Sequence, residues 1–230
     1  MNVHDLPLYA CAAAVVGPGI KVLTATTAGA RPRQGDGPQG GLQALLNPWR
    51  QRPLPLTAAA MVAVMVGFNL AQTVWPALIP HLERRPGGPW WRAFTALLIE
   101  SSGPLQLLFN LAALVAVVPV AQRVLRPAVT VCVYLVSGVA AQAVSMAGWS
   151  PTGGGNSVAI CGLVGALAVA YALRGPDAAL RRMALFVPAA GIVLCAMANN
   201  HGVGVLVGCA LGAGLTAVRR SGHLVNTPAQ

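Results

Sequence analysis

From Leu56 onward the chain is a series of continuous apolar blocks separated by short polar breaks. Hydropathy marks six of them: about Leu56 to Ile79, Pro104 to Ala121, Pro127 to Ala147, Asn156 to Leu173, Met183 to Ala198 and His201 to Val218. Each holds roughly 20 residues, the length an α-helix needs to cross the hydrocarbon core of a bilayer. The blocks lack the apolar–polar alternation of outer-membrane barrel strands. The pattern therefore predicts an all-α membrane protein with six transmembrane helices.

Residues 1–55 read differently. Leu6 to Leu23 is apolar in part, but Pro7, Gly17, Pro18 and Gly19 interrupt it, and no basic n-region precedes it as a signal peptide requires. Thr24 to Gly41 is rich in Gly, Pro, Thr and Arg, a composition expected to stay disordered. The predicted organisation is a cytoplasmic, disordered leader over 1–55, a membrane domain over 56–220 and a cytoplasmic tail over 221–230.

Composition agrees with a membrane location, at 56% hydrophobic and 9% charged. The net charge of +10 raises nucleic acid or anionic lipid as partners. The basic residues cluster at block ends with no interleaved aromatic face, so nucleic acid is excluded as a partner. Topology explains them better. With the N-terminus inside, 12 of the 15 basic residues fall on the cytoplasmic side, leaving Arg84, Arg85 and Arg92 outside. Both termini are therefore expected in the cytoplasm, and Ala- and Arg-rich, Lys-poor usage points to a bacterial plasma membrane. The five cysteines, Cys11, Cys132, Cys161, Cys195 and Cys209, form no CxxC pair and read as packing residues.

Polar residues inside apolar blocks are costly and mark candidate sites. Ser157 follows the run Gly153-Gly154-Gly155-Asn156, and His201 heads the sixth block. Both begin blocks that start at the same predicted face, where water is available. A serine beside a histidine is the minimum for nucleophilic acyl transfer. The simpler readings are a helix-capping serine and an interfacial histidine. Gly204, Gly208 and Gly212 recur every four residues below His201, a ridge that lets another helix approach closely. The glycine run before Ser157 would leave room for a substrate backbone. Gln106 and Asn110 share one helix face. They read either as an interhelical hydrogen bond or as donors to an oxyanion. Trp90 and Trp91 belong to an interfacial aromatic belt, with no catalytic role.

Four pieces in order resemble a rhomboid intramembrane serine protease: Trp91-Arg92 with Thr95, Gln106-Leu107-Leu108-Phe109-Asn110, Gly155-Asn156-Ser157, and His201 with Gly204 and Gly208. The resemblance covers roughly residues 56–220 and implies a six-helix rhomboid-like bundle. It implies Ser157 as nucleophile, His201 as base and then acid, and Asn110 with Gln106 at the oxyanion. It implies no cofactor or metal, and as partners membrane lipids and the transmembrane segments of other proteins, cut near the outer face. The sequence departs from the family pattern at Gln106, where histidine is usual, at Val158, where glycine is usual, and at Cys161, where an aromatic is frequent. An earlier family histidine falls near Glu100, one residue out of step. Two rival readings stand beside the protease: an inactive rhomboid-like protein that binds transmembrane helices, and a small-solute transporter.

Overall fold

The computed structural model describes residues 6–27 and 55–225. Among them the only bridge between extended segments is an isolated antiparallel pair, Arg84 with Gly153. Helix α1 (Leu6–Thr27) comes first. After the break follow α2 (Leu56–Val74) and two short helices, α3 (Leu78–Leu82) and α4 (Arg92–Thr95). Then come α5 (Pro104–Leu125) and α6 (Pro127–Val144), the latter running into a π-helical turn at Ser145–Trp149. The chain ends with α7 (Ser157–Arg174), α8 (Ala178–Ala184), α9 (Phe186–Ala196) and α10 (Asn200–Val225). Six stretches are long and apolar enough to cross a membrane, with α8 and α9 together making the fifth.

Local chemistry sets the helix ends. Pro76 stops the first span at Val74, short of the Ile79 expected from hydropathy, because the residue before a proline is pushed out of the helical region. Pro104 and Pro127 start α5 and α6, where a missing N–H costs nothing. The fifth span begins at Ala178, before the expected Met183, since the Asp177 carboxylate caps it by accepting from Leu180 N at 2.7 Å.

The centre of the bundle is α7. Half of its span is buried within the protein, against 17% for peripheral α2. It packs most extensively on α10 and next on α6, with α5, α8, α9 and α1 around it. Lipid removes the hydrophobic drive between helices, so close packing must hold them. A Cβ on Gly204, Gly208 or Gly212 of α10 would overlap the carbonyl oxygens of Val158, Gly162 and Ala166 of α7. Across the other side of α7, Gly138 lies against Ala159, and Gly162 against Ser137. These seams bring backbones together where only glycine fits.

The expected disordered leader is instead helical over Leu6–Thr27, with Pro18 inside the helix. Val15, Gly19, Val22 and Leu23 fall on one face. Val15, Val22 and Leu23 are buried in the core cluster, and a Cβ on Gly19 would lie 3.0 Å from Val164 Cγ1. Helix α1 packs on α9, α7 and α8 and touches α5, filling the gap between α5 and α9, which hardly meet. Packing thus outweighs the Pro and Gly interruptions that argue against a helix from sequence. The rest of the leader, 28–54, lies outside the described residues. At the other end α10 continues to Val225, so the first residues of the expected tail are helical.

Candidate functional site

Ser157 opens α7 and His201 lies in the first turn of α10, so the glycine seam sets their separation. Ser157 Oγ is 2.9 Å from His201 Nε2. Behind the ring, His201 Nδ1 is 2.9 Å from Asn199 Oδ1, which also accepts from the His201 backbone N–H at 3.0 Å. Because that backbone group can only donate, the Asn199 atom facing it is the oxygen. The same oxygen then accepts a hydrogen bond from Nδ1–H, leaving the lone pair of Nε2 toward Ser157.

Asn199 is held by the way α9 ends. Ala198 N donates to Cys195 O, and Asn199 N donates to Leu194 O, both at 2.9 Å. This is a Schellman turn, with Ala198 at φ 54 where glycine is usual. Gly202 in α10 presses against Gly191 O and Cys195 N of α9 so closely that no side chain fits. The turn and the contact together aim Asn199 and His201 at α7.

The three glycines before Ser157 meet local demands of backbone and packing. Gly153 and Gly155 adopt φ 111 and φ 155, values that favour glycine. A Cβ on Gly154 would strike Ile99 and Ala96 O. The room a substrate backbone was expected to use is thus filled at Gly154 by the loop after α4. That loop clamps the run: Gly155 N donates to Ala96 O at 2.8 Å, Gly154 N donates to Ser101 Oγ at 2.8 Å, and Ser101 Oγ donates to Gly154 O at 3.0 Å.

Arg84 reinforces the clamp from the other side. It is buried, and its Nε donates to Ser150 O at 2.6 Å while Nη1 donates to Gln142 Oε1 at 2.5 Å. Gln142 Nε2 donates onward to Gly155 O at 2.9 Å. Burial pulls the guanidinium pKa down and the nearby Glu83 carboxylate opposes it. Arg92 holds the segment between α3 and α4 by donating to Glu83 O at 2.7 Å and Pro80 O at 3.1 Å, and it lies over the Trp91 ring. Trp90 is exposed, as an interfacial anchor requires.

Gln106 and Asn110 lie on one face of α5 and pair with each other, Gln106 Nε2 donating to Asn110 Oδ1 at 3.3 Å. Asn110 Nδ2 donates to Glu100 Oε2 at 2.6 Å. Glu100 Oε1 accepts from Ser102 N at 3.2 Å, and the Gln72 amide brackets the Glu100 backbone from α2. Burial pushes the Glu100 carboxyl above its usual range. Its Oε2 lies 3.4 Å from where a Cβ on Gly155 would stand, two residues before Ser157. Asn110 and the loop before Ser157 therefore meet at one carboxyl group. Val158 is buried in the apolar core and Cys161 packs against it.

Sequence reasoning passed over Asn199, Arg84, Gln142 and Gln72. A usable signal existed for the two glutamines, since each is an amide inside an apolar block, like Gln106. Arg84 looked like one more topological charge, and Asn199 gives no signal apart from its nearness to His201.

The family model described as Rhomboid domain matches residues 87–220, more than half of the chain, from the segment before α4 to α10. The chain belongs to the rhomboid family. Among curated proteins, none matches it in sequence.

Proposed function

We propose that the protein is an intramembrane serine endopeptidase that cuts transmembrane segments of other membrane proteins. The observation that carries this reading is the Ser157 Oγ to His201 Nε2 distance of 2.9 Å, with Asn199 on the far side of the ring. His201 takes the Ser157 proton as Oγ attacks the scissile carbonyl, and the carbonyl electron pair moves onto oxygen. The backbone N–H of Ser157 at the head of α7, with Asn110 and Gln106, stabilises that oxyanion. Collapse breaks the C–N bond, and His201⁺ returns its proton to the leaving amine. Water, deprotonated by the same imidazole, then hydrolyses the acyl-enzyme. A substrate helix must unwind to offer its backbone, so Gly or Ser near the cut favours cleavage.

The arginine bias further supports an orientation with both termini in the cytoplasm and the Ser157 end at the outer face of a plasma membrane. A reporter that is active only in the cytoplasm, fused after Gln230, should then be active.

The test is fluorophosphonate labelling of the purified protein beside Ser157→Ala and His201→Ala. Labelling of the wild type alone is the expected result. An unlabelled wild type, or equal labelling of Ser157→Ala, points to an inactive helix-binding relative instead. Co-expression with a panel of reporter transmembrane segments should show cleavage that both substitutions abolish.

A further inference from the structure

We propose that Glu100 is a positioning residue that holds the Asn110 amide with its nitrogen, and not its oxygen, toward the reacting groups; the inference rests on the protease reading above. An asparagine amide has two faces of opposite hydrogen-bonding sense, and only the N–H side can stabilise an oxyanion. Two neighbours select one orientation here. Gln106 Nε2 donates to Asn110 Oδ1, which fixes the oxygen. Glu100 Oε2 accepts from Asn110 Nδ2 at 2.6 Å, which fixes the nitrogen. That bond uses one of the two N–H groups, and the other has no protein partner among the described residues.

Glu100 is itself held from three sides. Gln72 pairs with its backbone N–H and C=O, Ser102 N donates to Oε1, and the Gly155 backbone lies against Oε2. A buried acceptor this well fixed is suited to orient a neighbour. The ionised carboxylate can only accept and so selects the nitrogen, whereas a neutral carboxyl also carries an O–H donor. Burial shifts the Glu100 pKa upward, while its hydrogen bonds from Ser102 and Asn110 act the other way.

The deciding experiment compares Glu100→Met, which keeps length and removes the acceptor, with Glu100→Gln, which keeps an acceptor oxygen. Each is made in the wild type and in Asn110→Ala, and cleavage of a reporter segment is followed in detergent. Glu100→Met should lower kcat on the order of tenfold to a hundredfold, as loss of orientation does, with KM within about twofold. Glu100→Gln should recover most of that loss. In Asn110→Ala, Glu100→Met should cost less than about twofold more, because the two substitutions act through one group. Equal losses in both backgrounds, or a loss confined to KM, overturn the inference while leaving the protease intact. If Glu100→Met does not fold, Glu100→Gln decides through the fluorophosphonate labelling rate of Ser157: a value within about threefold of wild type is expected, and a loss of tenfold or more overturns the proposal. A wild type that neither cleaves nor labels overturns the protease reading, and this inference with it.

Discussion

At the scale of single residues, one carbonyl oxygen links helix capping to the tautomer of a histidine. Asn199 Oδ1 accepts both from the backbone N–H of His201 and from its ring, so the bond that starts α10 also chooses the histidine tautomer. Asn199→Ala is expected to leave the chain folded, at a cost of about 1 kcal/mol for the lost cap. It should also slow fluorophosphonate labelling at least about tenfold through the wrong tautomer and a loose ring. Asn199→Asp should keep most of the rate. A labelling rate unchanged in Asn199→Ala would show that Ser157 does not depend on this oxygen. Ser157, His201, Asn110 and Gln106 could all be picked from the sequence, because a polar group in an apolar block stands out. Asn199 could not, because it lies in a polar break where such residues are ordinary, and for Glu100 the resemblance pointed only to a nearby family histidine, not to its partners. Only the turn at Ala198 and the fold of the loop after α4 give them partners.

At the scale of elements, the α7–α10 seam separates glycines that packing demands from glycines it ignores. Gly208→Ala puts a methyl group into Gly162 O, whereas nothing lies within 4 Å of a Cβ on Gly214. Gly208→Ala should therefore lower thermal stability in detergent by about 1–3 kcal/mol, as overpacking does. It should also slow labelling of Ser157, although Gly208 lies two helical turns from His201. Gly214→Ala, on the same helix, should change neither. Equal behaviour of the two variants would mean that the seam does not govern the site. The existence of the six spans was readable because length and hydropathy decide it. Their ends were less so: Pro76, Asp177 and the π-helical turn act over one or two residues, below the resolution of a hydropathy window.

At the scale of the whole molecule, α1 closes a side of the bundle that the six spans leave open between α5 and α9. Its helical state was hidden because Pro18 and the neighbouring glycines argue against a helix, while its supporting contacts come from α9, α7 and α8, far along the chain. Gly19 and Val164 should form a disulfide when both are replaced by cysteine in a background lacking the native five, since a Cβ on Gly19 would lie 3.0 Å from Val164 Cγ1. Failure to cross-link under oxidation in native membranes would remove α1 from this position. Chain connectivity also resolves an ambiguity in the glycine seam. Gly204, Gly208 and Gly212 meet Val158, Gly162 and Ala166 with the same offset of 46 residues each time. A ridge repeating every four residues is nearly degenerate: sliding α10 by one turn would seat Gly208 and Gly212 in notches much like their own. Ser157 and His201 would then be about 6 Å further apart along the axis. The left-handed Ala198 and the contact of Gly202 with α9 select one of these near-equivalent settings, and the bond from Arg174 to Thr216 O ties the other end. The seam supplies the closeness of the two helices, and a three-residue turn outside it supplies their index.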